Sequence, residues 1–181
     1  MLTAVNGNSI SYDGAGNPLV YRNGAKTYTG LTWQNGRQLS SITTGGKTSS
    51  YAYDADGIRT SKVVDGVTHT YYTLNGRGMR ESFPYGDTTI IMDFVYDETG
   101  RPFAVCYSKD GGETFTTYFY AINAQGDAEK LFRIVAVKDS AGNITGYEPK
   151  YYGSYTYDAW GNVTVKASCG ENHSPHENYY R

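Results

Sequence analysis

The five residues Tyr53-Asp54-Ala55-Asp56-Gly57 specify a tight reversal of the chain. Asp at the first position of a type I turn accepts a hydrogen bond from the backbone two residues further on. Gly at the fourth position adopts the left-handed conformation that completes the reversal. Tyr51 and Tyr53 alternate with smaller residues before the turn, as in a strand with one buried face. The segment therefore predicts the end of one strand and the beginning of the next.

The same signature, an aromatic residue, Asp, two variable residues and Gly, recurs along the chain. Complete copies give the turn residues Tyr12, Asp13 and Gly16; Tyr53, Asp54 and Gly57; Tyr96, Asp97 and Gly100; and Tyr157, Asp158, Trp160 and Gly161. Looser copies end at Gly36, Gly76, Gly126 and Gly142. The mean spacing is about 21 residues, which is typical of short-period repeat proteins. We predict a structural role in turns for all of these residues.

Turns of a second kind lie between the signatures. They are Asn23-Gly24, Gly45-Gly46, Asp65-Gly66 and Asp110-Gly111-Gly112. Such dipeptides indicate hairpins, because both central residues tolerate a positive φ. Residues 128–137 are the nearest candidate for a helix, but Ile134-Val135-Ala136-Val137 favours a strand. The sequence predicts an all-β fold, an antiparallel array with one hairpin for each repeat.

The composition limits the function. The chain has 181 residues with 19 Tyr, 6 Phe and 2 Trp, which predicts one domain, residues 1–181, with a largely phenolic packed layer. A net charge of −2 without a basic run argues against nucleic acid as a partner. There is no apolar stretch of about 18 residues and no charged-then-apolar leader, so neither membrane insertion nor an export signal is expected.

The signatures resemble the YD repeats of bacterial Rhs and related wall-associated proteins. The most specific segment is Tyr155-Thr156-Tyr157-Asp158-Ala159-Trp160-Gly161-Asn162, which is similar to the end of the Rhs-associated core, and Tyr118–Asp127 adds to the resemblance. The resemblance implies long antiparallel strands that form a curved or spiralling sheet, part of a hollow β-shell, as also in the related animal teneurins. In bacterial toxins of this family the shell encloses a C-terminal effector.

From this resemblance we expect a non-enzymatic wall segment of a secreted or cell-surface bacterial protein. Its expected partners are the remaining repeats of a parent shell and an enclosed effector. Self-association of the chain through its sheet edges is also expected. The chain departs from the family in having about eight repeats and no Asp-Pro pair, so the family's self-cleavage is not carried over. We interpret the chain as a fragment of a longer protein, with a degenerate stand-alone copy as the alternative.

Other candidate sites receive weaker support. His173 and His176 have a spacing that suits a metal on a helix, but Pro175 and the residues around it predict a loop, so no metal site is assigned. Cys169 with His173 resembles a nucleophile and base only in its spacing. Cys106 lies in an apolar run and is expected to be buried. The two cysteines fix no disulfide.

His69 falls in an alternating strand and is predicted to lie on the sheet surface rather than to act as a base. Asp54 and Asp56 have a faint resemblance to a calcium loop, but the further carboxylates and the Glu of that loop are missing. We predict no catalytic residue, no cofactor and no bound metal.

The alternative function is a carbohydrate- or cell-wall-binding module. Gly-rich hairpins with many aromatic residues also describe repeat modules whose exposed rings stack on sugars. Tyr71-Tyr72-Thr73-Leu74-Asn75-Gly76 fits such a repeat. A binding module displays rows of open rings, whereas a shell wall buries most of them against one another.

Overall fold

The computed structural model describes residues 2–5, 7–23, 26–157 and 163–167, and these form strands and turns without a helix. The strands are β1 Ala4–Val5, β2 Asn8–Ser9, β3 Ser11–Tyr12, β4 Pro18–Asn23, β5 Lys26–Gln34, β6 Gln38–Thr44, β7 Lys47–Tyr53, β8 Arg59–Val64, β9 Val67–Leu74, β10 Arg77–Tyr85, β11 Thr88–Tyr96, β12 Pro102–Ser108, β13 Thr116–Ile122, β14 Ala128–Lys138, β15 Ile144–Tyr157 and β16 Val163–Ala167. The prediction of an all-β fold is confirmed, and β14 replaces the candidate helix.

Strand order in space equals strand order in the sequence. β1 and β2 form a two-stranded sheet, and β3 to β16 follow one another in a 14-stranded sheet. The described hairpins are antiparallel; Val64 lies opposite Val67, for example, across the β8–β9 turn. Successive turns therefore alternate between the two ends of the strands.

The chain divides into two compact units, residues 1–91 and residues 92–181, with the boundary inside β11. The first unit buries Leu31, Phe83 and Ile90 together with the polar residues Asn17, His69 and Glu81. The second unit buries a larger apolar set, which consists of Met92, Ala104, Val105, Tyr118, Tyr120, Ala128, Leu131, Tyr152 and Tyr155. Four of these nine residues are tyrosines, so the packed layer of this unit is partly phenolic.

Candidate functional site: the signature turns and the contacts between strands

The turn at Asp54 is a three-residue hairpin loop. The Gly57 N–H donates to the Asp54 carbonyl oxygen at 3.1 Å, and the Asp54 N–H donates to the Ile58 carbonyl oxygen at 2.9 Å. Gly57 has a φ of +81°. These features define a type I turn followed by a left-handed glycine, one of the common hairpin connections.

The Asp54 carboxylate fixes the inside of this loop. Its Oδ1 accepts one hydrogen bond from the Asp56 N–H at 3.0 Å and another from the Ile58 N–H at 2.8 Å. The N–H groups of Asp56 and Ile58, which make no hydrogen bond to a neighbouring strand, thereby find an acceptor. A short acceptor side chain is needed at this position, which explains the Asp of the signature.

The same arrangement occurs at five turns among the described residues. They begin at Asp13, Asp54, Asp97, Asn123 and Asp139 and close at Gly16, Gly57, Gly100, Gly126 and Gly142. Asn123 Oδ1 accepts from the N–H groups of Gln125 and Asp127, so an amide oxygen can replace the carboxylate. The turn at 158–161 lies outside the described residues.

Hydrogen bonding stabilises the ionised form of several turn carboxylates. The side chains of Asn17, Thr99 and Asn143 lower the pKa of Asp13, Asp97 and Asp139, respectively, below the ordinary value of 3.8, and backbone N–H donors lower each further. Ser108 and Thr114 lower the pKa of Asp110 in the same way. The shifts follow from donors aimed at the charged form.

Two of the looser copies of the signature form turns of another kind. Asn75 and Gly76 both have positive φ, 51° and 74°, and Leu74 lies directly opposite Arg77. Asn35 and Gly36 also both have positive φ. Asn75 and Gly76 therefore form a two-residue loop, whereas Asn35 and Gly36 belong to the three-residue loop between Gln34 and Gln38. Neither loop begins with an Asp acceptor. Gly45-Gly46 and Asp65-Gly66 have the positive φ values expected from their sequence.

A β-bulge follows five of the loops at the same distance. The pairing register shifts by one residue, and the extra residues are Leu19, Ser40, Thr60, Glu129 and Thr145. Each lies six positions after the residue that opens its loop, namely Asp13, Gln34, Asp54, Asn123 and Asp139. A bulge interrupts the ladder and changes the partners of nearby backbone groups.

An aromatic donor contacts the backbone beside three of these bulges. Trp33 Nε1–H donates to the Pro18 carbonyl oxygen at 2.8 Å, Tyr53 O–H to that of Leu39 at 2.9 Å, and Tyr157 O–H to that of Ala128 at 2.9 Å. Each acceptor immediately precedes the extra residue of a bulge. We call these contacts the inter-strand latches. Each joins the start of one strand to the end of the next, so it links two successive loops at one end of the strands.

The latches were not predicted from the sequence. The sequence does contain a signal for them. The aromatic residue before the loop can donate a hydrogen bond in each of five places and is never Phe; these residues are Tyr12, Trp33, Tyr53, Tyr96 and Tyr157. Tyr12 O–H also donates to a backbone carbonyl, that of Leu2, at 2.6 Å. The preference for Tyr thus has a reason beyond hydrophobic packing.

A buried polar cluster lies on strands β8 to β10. Nδ1 of His69 lies 2.7 Å from Oε1 of Glu81, and that oxygen is also 3.3 Å from Lys62 Nζ and 3.3 Å from the Tyr71 hydroxyl. His69 is 7% exposed and Glu81 is 4% exposed. The ring of His69 stacks on Phe83 with centroids 4.3 Å apart. The prediction that His69 lies on the sheet surface is therefore wrong, because the alternation that placed it on one face did not reveal what packs on that face.

The remaining candidate residues are not brought together. Cys106 is half-buried rather than buried, with its Sγ 3.6 Å from Thr117 Oγ1. Cys169, His173 and His176 lie outside the described residues. Within residues 2–157 and 163–167, apart from the gaps given above, no three His, Cys, Asp or Glu side chains are grouped to hold a metal ion. The same residues include no helix of the length and apolarity needed to cross a membrane.

Aromatic side chains are mixed in exposure. Tyr72, Tyr85 and Tyr147 are more than half exposed, whereas Tyr118, Tyr120, Tyr152 and Tyr155 are buried. One row of rings crosses four strands through Phe103, Phe119, Phe132 and Tyr151, with centroid separations of 5.6, 5.7 and 6.0 Å. Neighbouring rings in the row are inclined by 78°, 32° and 52°, so they pack on one another and share no plane.

Consecutive hairpins with a repeated signature turn are the architecture that the resemblance to YD-repeat proteins implies. The chain is 33% identical over 175 residues to the tRNA3(Ser)-specific nuclease WapA of Bacillus spizizenii, and 33% identical over 174 residues to the tRNA nuclease WapA of Bacillus subtilis strain 168. Each alignment covers 94% of this chain, and the chain spans about 6% of the length of these curated relatives. The similarity confirms the predicted kinship with YD-repeat proteins of the Rhs and wall-associated type.

No family model matches the chain. The crystal structure of TcdB2–TccC3–Cdc42 aligns with 88% of this chain and 9% of that chain, with a TM-score of 0.49 and 15% identity.

Proposed function

We propose that the chain is a non-enzymatic wall segment of a β-shell, which encloses or presents a toxin or effector in a secreted or cell-surface bacterial protein. The observation that carries the proposal is the repeated unit of signature turn, bulge and inter-strand latch. In this unit the Tyr and Trp side chains donate to backbone carbonyls of the same sheet, and the Asp carboxylate accepts from backbone N–H groups of its own loop. Such residues build and stiffen a wall.

The relatives support this proposal. Their names describe nucleases of tRNA, while the part that matches this chain is about 6% of their length. A segment of this size with repetitive architecture suits a scaffold around an activity rather than the activity itself. Its partners in this proposal are further repeats of the same shell and the enclosed effector. The single-domain organisation of residues 1–181 and its origin in a longer protein belong to the same proposal.

A graft into a relative tests the proposal. The matching 174-residue segment of Bacillus subtilis WapA is replaced by this chain, and nuclease activity on tRNA is measured after treatment with protease. We expect activity to survive as in unaltered WapA, whereas deletion of the segment leaves the nuclease open to digestion. The matched control is the graft with Gly57→Val, which distorts one loop. Equal protection with the segment deleted would argue against a wall function.

A direct assay addresses the enzymatic alternative. The purified chain is incubated with tRNA and Mg²⁺, and we expect no cleavage. Cleavage that co-purifies with the chain and disappears in Glu81→Gln, which alters the buried cluster, would make the chain itself a nuclease.

The exposed tyrosines favour the carbohydrate-binding module as a second candidate. Tyr147 is 70% exposed and Tyr72 is 58% exposed, as required for stacking on sugars. Co-sedimentation with insoluble bacterial cell wall separates the candidates. Saturable binding that is lost in Tyr147→Ala would support the module, and no binding would support the wall segment.

A further inference from the structure

The hairpin of β14 and β15 extends beyond the neighbouring strand. β13 pairs with β14 from Ile122 opposite Ala128 to Phe119 opposite Phe132, and the pairing ends there. β14 and β15 continue as a pair to Lys138 opposite Ile144. Among the described residues, the β13-facing edge of residues 134–138 is therefore covered by no strand. We call residues 134–138 the open edge.

The open edge has the composition of an associating strand. Its sequence is Ile-Val-Ala-Val-Lys, with three β-branched residues and one charge. Ile134 is 50% exposed and Val137 is 37% exposed. Long apolar edge strands present unpaired N–H and C=O groups that recruit another strand, and natural proteins usually protect them with charges or proline. Here the only such residue is Lys138.

The sequence around the open edge is complementary to itself. In an antiparallel pairing of two copies, the five residues pair completely only when Ala136 lies opposite Ala136. This register places Arg133 opposite Asp139 of the second copy, and the two-fold symmetry repeats that opposite-charge pair. Lys138 then lies opposite Ile134, so no like charges face each other.

We infer that two copies of the chain associate through an antiparallel, two-fold pairing of β14 with β14, centred on Ala136. The occupant of the open edge is thus a second copy of the same strand. The pairing joins two β14–β15 hairpins into one continuous four-stranded sheet. This association is independent of what the wall encloses.

The test uses two substitutions that differ only in the sign of the charge. In the inferred register, Ile134→Lys places a cation opposite Lys138 of the second copy, and Ile134→Glu places an anion there. Both lose the same apolar side chain. We expect sedimentation equilibrium of the 181-residue chain to show a monomer–dimer equilibrium. Ile134→Lys should weaken it by about tenfold or more, and Ile134→Glu should weaken it far less.

Ile144→Lys is the matched control. Ile144 is 55% exposed and lies on the same hairpin, but on β15 rather than on the open edge. We expect it to leave the dimer unchanged, and circular dichroism checks that each variant is folded. A chain that stays monomeric overturns the inference. So does equal weakening by Ile134→Lys and Ile134→Glu, or by Ile134→Lys and Ile144→Lys.

Discussion

The hydroxyl of Tyr53 donates a hydrogen bond of 2.9 Å to the main-chain carbonyl of Leu39, fourteen residues earlier in the chain. Leu39 directly precedes the extra residue of a β-bulge, where the ladder between β5 and β6 shifts by one residue. Trp33 and Tyr157 make the equivalent contacts at two other bulges. The aromatic residue before the loop therefore donates to the backbone at the start of the preceding strand and also contributes to the apolar layer.

Replacing Tyr53 by Phe removes the donor and keeps the ring. The Leu39 carbonyl then loses its partner in a half-buried position, so we expect a destabilisation of about 1 kcal/mol. Urea unfolding followed by circular dichroism measures it. Tyr72→Phe is the control, because Tyr72 is 58% exposed, and it should change stability by less than about 0.5 kcal/mol. Equal effects would mean that the latch does not stabilise the fold.

Gly57→Val should destabilise the chain by more than about 1 kcal/mol, since a β-branched residue is strained at positive φ. The φ of Gly57 is +81°, and an added Cβ would also lie 3.0 Å from Gln38 Nε2. Gly78→Val is the matched control, because Gly78 lies in a strand without positive φ and with open space around its Cβ position. Thermal unfolding of both variants is the measurement. An unchanged melting temperature in Gly57→Val would disprove the assigned turn. The equivalent substitution at Gly161 lies outside the described residues.

Glu81→Ala should destabilise the first unit by about 3 kcal/mol. Removing the carboxylate leaves the buried His69 and the Lys62 amine without their shared acceptor, and breaking a buried ion pair from one side is costly. Glu81→Gln keeps an acceptor oxygen and should cost less. Glu98→Ala, in an exposed turn, is the control. Chemical denaturation ranks the three, and a Glu81→Ala cost no larger than that of Glu98→Ala would contradict the prediction.

The stability of the chain should fall in acid because of the turn carboxylates. Hydrogen bonds from Thr99 and from the Arg101 N–H lower the pKa of Asp97 from 3.8, so the unfolded state binds the proton first. The contribution is fully present above about pH 4 and is lost as the pH falls through the lowered pKa of the folded state. Asp97→Asn keeps an acceptor oxygen, as Asn123 does, and cannot titrate. Its melting temperature should therefore decline less than that of the wild type between about pH 5 and about pH 2. Parallel curves would show that Asp97 does not contribute.

The hairpin array could be predicted because its signals are local. An Asp and a Gly three residues apart contain the whole hydrogen-bond pattern of the turn at Asp54, and a period of two describes the strands on either side. The assignment of Gly76 to the Asp-type turn was wrong for a related reason. Gly76 fits the spacing of the repeated signature along the chain. The residue before Gly76 is Asn75, however, which itself has a positive φ and forms a shorter loop with Gly76.

The contacts between strands could not be predicted in the same way. His69 and Glu81 are twelve residues apart, and their meeting depends on the register of β9 against β10, where a bulge lies between Gly78 and Arg80. Shifting that register by one residue would place Glu81 on the opposite face. Each bulge shifts the pairing register by one residue, and a single sequence does not show how many bulges a pair of strands contains. The sequence therefore predicts where strands lie more readily than which residues face each other across the sheet.

Strand order that equals sequence order also has a consequence for synthesis on the ribosome. Each strand finds its partner in the chain that has just emerged, so no long segment must wait for a distant one, and the entropy lost in closing each loop is small. Nascent hairpins can be added one after another, from the amino terminus onward. The unpaired edge of each new hairpin is then covered by the strand that is translated next. The time in which this edge can pair with another molecule is therefore short.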